Sequence, residues 1–181
     1  MKIHSTLFAG FSLGLGLMAG AQAMAAETAG NPPVTDTVNI DATVAAKCLF
    51  TGDSPVALHL GELATAVGNL DTSKVDNQSV TLNGWCNSAG SQMHVEATKL
   101  ALTPAITPNP SGFVQQVDYT ATANANGHNA TDDTTVSGPG SDVVVGIFTG
   151  QVPVTLSNSS AVGLLIAGTY QGTVTVTLSP G

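Results

Sequence analysis

The stretch Ala167–Leu178, AGTYQGTVTVTL, is the clearest strand in the sequence. From residue 170 to residue 178, apolar side chains and Gly172 alternate with polar ones, so the apolar side chains share one face. β-Branched residues fill the stretch, and no proline interrupts it before Pro180. We expect no later strand to pair with its free side, because only three residues follow Leu178. The sequence therefore predicts a terminal strand with an edge that something else must cover.

A second alternating stretch, Thr37–Val44 (TVNIDATV), lies much nearer the N-terminus. Its apolar face consists of Val38, Ile40, Ala42 and Val44. Two interpretations are open for this segment. It is either the first strand of its own domain or a strand that serves a neighbouring molecule.

The first 25 residues have the pattern of a signal peptide that is removed on export. Lys2 supplies the positive start, Leu7–Ala21 is apolar, and small residues around 21–25 fit a cleavage site. At about 15 residues the apolar run is short for a membrane span, which needs roughly 20. Removal of residues 1–25 leaves about 156 residues, enough for one domain with a substantial core.

Charge and motif content exclude several function classes. The formal net charge is −8 with only four lysines and arginines, which argues against a nucleic-acid partner. His59, His94 and His128 are scattered without metal-ligand spacing, and no GxSxG or metal motif brings Ser, His and Asp together. We therefore expect neither an enzyme nor a protein with a cofactor or metal.

The chain has two cysteines, Cys48 and Cys86, separated by 38 residues. In an exported protein this number suggests one disulfide, whereas a metal pair would need further ligands. Cys86 ends the alternating stretch Ser79–Cys86 and faces inward with its apolar residues, so it is placed to meet Cys48 on a neighbouring strand.

Roughly eight short strands, and no convincing helix, are predicted after the leader. The polar stretch 123–142 is expected to be a long loop or hairpin tip, and Thr149–Gln151 a hairpin turn. This pattern predicts an all-β sandwich. Besides the two stretches above, the predicted strands are 56–60, 79–86, 93–97, 113–122, 143–148 and 152–156.

The order of these features resembles the subunits (pilins) of bacterial chaperone–usher fimbriae. The strings that carry the resemblance are VNIDATVAAKC before the first cysteine, PVALHLGEL after it, SVTLNGWC at the second, and AGTYQGTVTVTL at the end. The chain is similar in this respect to type 1 and P-type pilins, and its last string is similar to spore-coat-U-like pilins of the archaic branch.

The resemblance implies an immunoglobulin-like sandwich that lacks its last strand and is completed by a donor strand from another subunit. It divides the chain into a signal peptide (1–25), an N-terminal extension with the donor strand (26–47) and a pilin domain (48–181). The implied donor positions are Val38, Ile40, Ala42 and Val44. The implied acceptor groove comprises Gly168, Tyr170, Val174, Val176 and Leu178.

The resemblance also implies partners and a location. A periplasmic chaperone and an outer-membrane usher would handle the subunit, which would join a homo- or hetero-polymer of pilins on the cell surface, serving adhesion or biofilm formation. The alternative from the residues alone is a monomeric secreted β-sandwich that binds a host or matrix ligand.

Overall fold

The computed structural model describes residues 34–52 and 54–181. The predicted signal peptide, residues 1–25, lies outside these residues, as does the first part of the extension. The chain divides into a unit of residues 1–42 and a unit of residues 43–181. In the first unit, residues 34–42 are exposed and form no strand. The fold described below is that of the second unit.

The described part of the chain contains twelve strands and one short 3-10 helix, Thr72–Lys74. Within this part, no helix is long and apolar enough to cross a membrane. The prediction of an all-β protein is confirmed. In chain order the strands are β1 (Cys48–Thr51), β2 (Ser79–Cys86), β3 (Gln92–Ala97), β4 (Leu100–Thr103), β5 (Phe113–Val114), β6 (Gln116–Ala125), β7 (His128–Asp133), β8 (Asp142–Val144), β9 (Phe148–Ser160), β10 (Leu164–Leu165), β11 (Thr169–Gln171) and β12 (Val174–Ser179).

The strands form three sheets. The largest has the order β1-β2-β9-β6-β4-β11, with β7 also paired to β6, and all of its pairs are antiparallel. A three-stranded antiparallel sheet has the order β12-β3-β8, and β10 pairs with β5 in parallel. Strands β1 and β11 therefore lie at opposite ends of the largest sheet, and β12 lies at an end of its own sheet.

The core is built from the inward-facing positions of alternating strands. Every second residue of β6, from Val117 to Ala125, is buried, as are Met93 and Val95 of β3. Val152, Val154 and Leu156 of β9 complete the same cluster. Because the core joins strands from the two larger antiparallel sheets, the architecture is consistent with a β-sandwich.

The terminal stretch is two strands rather than the one that the alternation predicts. β11 pairs with β4, whereas β12 pairs with β3, and the change of sheet occurs at Gly172 and Thr173. Thr173 O accepts from Thr98 N at 2.9 Å, and Thr173 N donates to Thr98 Oγ1 at 2.8 Å. A Cβ at Gly172 would lie 3.0 Å from the carbonyl oxygens of Thr98 and Lys99, so the corner requires a residue without a side chain.

Two other predictions of local structure are wrong, and a third is only partly right. Residues 56–60 form no strand, because no neighbouring strand bonds to them. The range 123–142, predicted as a long loop or hairpin tip, contains the tip of the β6–β7 hairpin at residues 126–127, but also the end of β6 and all of β7. Its buried positions give little hydrophobic signal, because they are Ala123, Ala125, Ala130, Asp132 and Thr134. Thr149–Gln151 is not a turn but lies within β9, where Gly150 pairs with Gly84 of β2.

The predicted disulfide is confirmed. Cys48 and Cys86 are direct partners in the β1–β2 ladder, with Cα atoms 4.2 Å apart, and their sulfurs are bonded at 2.01 Å. The bond joins β1, the first strand of the fold, to the end of β2. In the loop-entropy argument, closing a loop of this length contributes about 4 kcal/mol to stability.

Candidate functional site

An open groove separates the β1 end of the largest sheet from the terminal strands. Its cavity volume is about 1670 Å³. One side is formed by β11 and β12, and the other by the end of β1 and residues 54–64. Inward-facing side chains of β2, β4, β6 and β9, with Leu165, line the base: Val80, Leu82, Leu100, Tyr119, Val154, Leu156 and Leu165.

On the terminal-strand side, Tyr170, Val174 and Val176 line the groove and are half-buried against the core. Thr175 and Thr177 alternate with them and are exposed. The structure therefore brings three of the predicted acceptor residues together on one face.

The backbone of β12 has an open edge along this groove. Among the described residues, β12 pairs only with β3. The carbonyl oxygen of Thr173 accepts a hydrogen bond from Thr98. In an antiparallel pair the direction of the backbone groups repeats every second residue, so the N–H and C=O of Thr175 also point toward β3. The N–H and C=O groups of Val174 and Val176 consequently point toward the groove, where a further strand would bond to them.

The opposite side of the groove has extended backbone without a partner. Leu58 and Leu60 are half-buried against the core, while Ala57 and His59 are exposed, which is the alternation that the sequence predicts for a strand. Residues 55–62 form no backbone–backbone hydrogen bond with other described residues. On both sides, the backbone edge that faces the groove therefore has no hydrogen-bond partner among the described residues.

The groove is closed at the end where β12 approaches β1. A Cβ at Gly84 would lie 3.0 Å from Leu178 Cδ1 and 3.1 Å from Phe50 Cδ1, so these side chains meet above a glycine of β2. Leu178, a predicted acceptor residue, lies at this closed end. Phe50 and Thr51 also line the groove.

At the other end of the groove, Gly168 and Tyr170 fix the start of β11. Gly168 has φ +154°, and a Cβ there would lie 2.5 Å from Leu102 Cδ1. The Tyr170 hydroxyl donates to Ile166 O at 3.0 Å or Val114 O at 3.2 Å. Burial raises the pKa of Tyr170, although the hydrogen bond at Ile166 partly opposes that shift.

Tyr119 provides a polar anchor in the apolar base. Only 2% of it is exposed, and its hydroxyl donates to Thr98 O at 2.7 Å. Burial, with a smaller effect of the nearby Asp132 carboxylate, raises the pKa of Tyr119 to about 12. The phenol therefore stays protonated across the physiological range and holds β6 against the corner between β3 and β4.

The segment with the predicted donor residues, here called the arm (residues 37–44), has unusually exposed apolar side chains. The exposed fractions are 80% for Val38, 89% for Ile40 and 87% for Val44, and Ala42 is also exposed. The arm forms no strand. A regular series of large aliphatic side chains is thus uncovered, which is rare on soluble proteins.

The sequence indicates only part of this site. Its alternation identifies the terminal-strand side and the arm. It does not identify Phe50 or Tyr119 as groove residues, because their place depends on which strands become neighbours. Within residues 34–52 and 54–181, no group of three His, Cys, Asp or Glu side chains is placed to hold a metal ion.

Comparisons with known proteins add no relative. No protein-family model matches the chain, and the search of curated proteins finds no match. The groove, the open edge of β12 and the arm are the features of the chain that point to a function.

Proposed function

We propose that this protein is a structural subunit of a surface fimbria that assembles by donor-strand exchange. The arm of one copy fills the groove of the next, so that each subunit completes its neighbour. The fold is then an immunoglobulin-like sandwich without its last strand. The observation that supports the proposal is the combination of an open backbone edge of β12 along the groove and an exposed alternating apolar arm in the same chain.

Hydrogen bonding favours a strand as the occupant of the groove. An added strand would satisfy the backbone groups of Val174 and Val176 on one side and of residues 55–62 on the other. Each such bond contributes about 0.5–1.5 kcal/mol net, and bonds on both edges also fix the register. A small ligand or a helix would leave these backbone groups unpaired.

Side-chain complementarity favours the arm. Val38, Ile40, Ala42 and Val44 recur every second residue over about 20 Å at roughly 3.3 Å per residue, so all four point to the same side of an inserted strand. The base of the groove offers aliphatic side chains and the ring of Tyr119. Burial of this face would stabilise the complex by about 5–10 kcal/mol, at 1.5–3 kcal/mol for each larger side chain.

The proposal includes export and two assembly partners. A chain with an open apolar groove aggregates unless the groove is covered, so a periplasmic chaperone is expected to occupy it before assembly. An outer-membrane usher would then exchange the chaperone for the arm of the next subunit. The predicted signal peptide and the disulfide fit an oxidising, extracytoplasmic route.

Deletion of Glu27–Val44 tests the proposal. The shortened subunit keeps its groove but has no arm, so it should accept an arm and donate none. On gels of unheated samples, the full mature chain should give a ladder of polymers and the deleted chain none. Equally long ladders from both chains would contradict the proposal.

Replacement of Ala42 provides a finer version of this test. Ala42→Leu should hinder insertion, because the larger side chain must fit between the two neighbouring donor side chains in the groove. Asn39→Gln changes size on the outer face of the arm and is the matched control. The ladder of Ala42→Leu should be short, and that of Asn39→Gln should equal the ladder of the unchanged protein.

A further inference from the structure

Asn87 holds the root of the arm by three hydrogen bonds. Its Nδ2 donates to Ala45 O at 3.0 Å, and its Oδ1 accepts from Lys47 N at 2.6 Å. Its backbone N–H also donates to Lys47 O at 3.0 Å. Asn87 is exposed and contributes nothing to the core, so these bonds are its visible role.

The three bonds extend the β1–β2 pairing beyond the disulfide. Cys48 lies opposite Cys86, and Lys47 lies opposite Asn87 in the next position. Residues 45–47 therefore continue the line of β1 instead of turning. We call this arrangement the root clamp.

The direction of residues 45–47 decides which groove the arm can enter. Among the described residues β1 pairs only with β2, and Phe50 and Thr51, in its second half, line the groove. Three residues suffice for a hairpin turn. A turn at residues 45–47 would lay the arm antiparallel to β1 on the other edge of β1, within the groove of its own subunit.

Such self-filling would have a large advantage over assembly. A segment tethered by a few residues has an effective concentration of about millimolar. Subunits at micromolar concentration would lose this competition by about a thousandfold. The root clamp disfavours the turn at residues 45–47 and so offsets part of this advantage.

We propose that Asn87 is a positioning residue that keeps the arm out of its own groove and directs it to a second copy of this chain. This inference rests on the proposed function. Each neutral hydrogen bond contributes a several-fold preference, so loss of both side-chain bonds should shift the balance from polymer to self-filled monomer by about 10- to 100-fold.

The test uses the mature full chain, refolded from denaturant, with Asn87→Ala. The expected result is a shorter ladder and a monomer whose Val38–Val44 amides are protected from hydrogen exchange. Asn87→Asp keeps the acceptor for Lys47 N and should be intermediate. Asn129→Ala is the matched control, because it removes an exposed side-chain amide that bonds only Asn124, at 2.6 Å, far along the sequence from the arm.

A double variant separates self-filling from misfolding. Asn87→Ala with Ile40→Asp has an arm that no longer fits, so its groove should again bind a synthetic peptide of residues 36–45. An Asn87→Ala protein with a ladder as long as that of the unchanged protein would overturn the role of Asn87 but leave the proposed function intact. A monomer with unprotected arm amides would also overturn it. If the unchanged protein neither polymerises nor binds the peptide, the proposed function fails as well.

Discussion

Ile40→Asp separates the stability of a subunit from the stability of its polymer. Ile40 is 89% exposed within the subunit, so the change should alter the free energy of unfolding by no more than about 0.5 kcal/mol. In the polymer, the same side chain would be buried in an apolar groove. Loss of its burial costs about 1.5–3 kcal/mol, and desolvation of a carboxylate adds further cost. A total above about 3 kcal/mol corresponds to more than a hundredfold weaker joint.

The matched control for this change is Asn39→Asp, which adds the same charge one residue away on the outer face of the arm. Thermal unfolding should be unchanged in both variants. Ladders on gels of unheated samples should be lost for Ile40→Asp and retained for Asn39→Asp. If both variants polymerise like the unchanged protein, or if both fail, the reasoning about the apolar face of the arm is refuted.

Three further results are expected. Gly168→Ala should destabilise the fold by about 1–3 kcal/mol in denaturant unfolding, because its φ is +154° and a Cβ there would contact Leu102. The control is Gly150→Ala, where φ is +150° and a Cβ would have no atom within 4 Å, so its effect measures the backbone contribution alone. Replacing both cysteines by serine should lower the free energy of unfolding by about 4 kcal/mol, and an unchanged midpoint would contradict this. Stability should fall as the pH rises from 10 toward 12, because folding raises the pKa of Tyr119 from 10.0 to about 12 and the unfolded state loses its proton first. Tyr119→Phe should flatten that part of the pH profile, and a decline of the same size in that variant would exclude Tyr119 as its cause.

Period-two alternation predicts the strands whose two faces differ strongly in polarity. Ser79–Cys86 is a strand over the whole predicted range, and its inward Cys86 meets Cys48 as the sequence indicates. The same signal finds β6 as far as residue 122 but fails at the end of β6 and along β7, where the buried residues are Ala123, Ala125, Ala130 and Asp132. Alanine is small enough for that part of the core, but its hydrophobicity is too weak to mark a strand.

The predicted site is incomplete for a different reason. Alternation identifies Val174 and Val176 but does not reveal that the terminal stretch changes sheets at Thr173, because that corner depends on hydrogen bonds with Thr98. Residues 56–60 alternate like a strand but pair with no other described residue, so the alternation alone does not tell whether a strand forms there. Asn87 has no sequence signal at all, since its role depends on hydrogen bonds between residues 40 or more positions apart.

Hydrogen exchange at β12 tests the central claim most directly. In the arm-deleted chain, the amides of Val174 and Val176 point to the groove and should exchange fast, whereas Thr175 and Thr177 bond to β3 and should exchange slowly. Addition of a peptide of residues 36–45 should slow Val174 and Val176 by more than a hundredfold and leave the two threonines nearly unchanged. Unaltered exchange at Val174 and Val176 with saturating peptide would contradict the account.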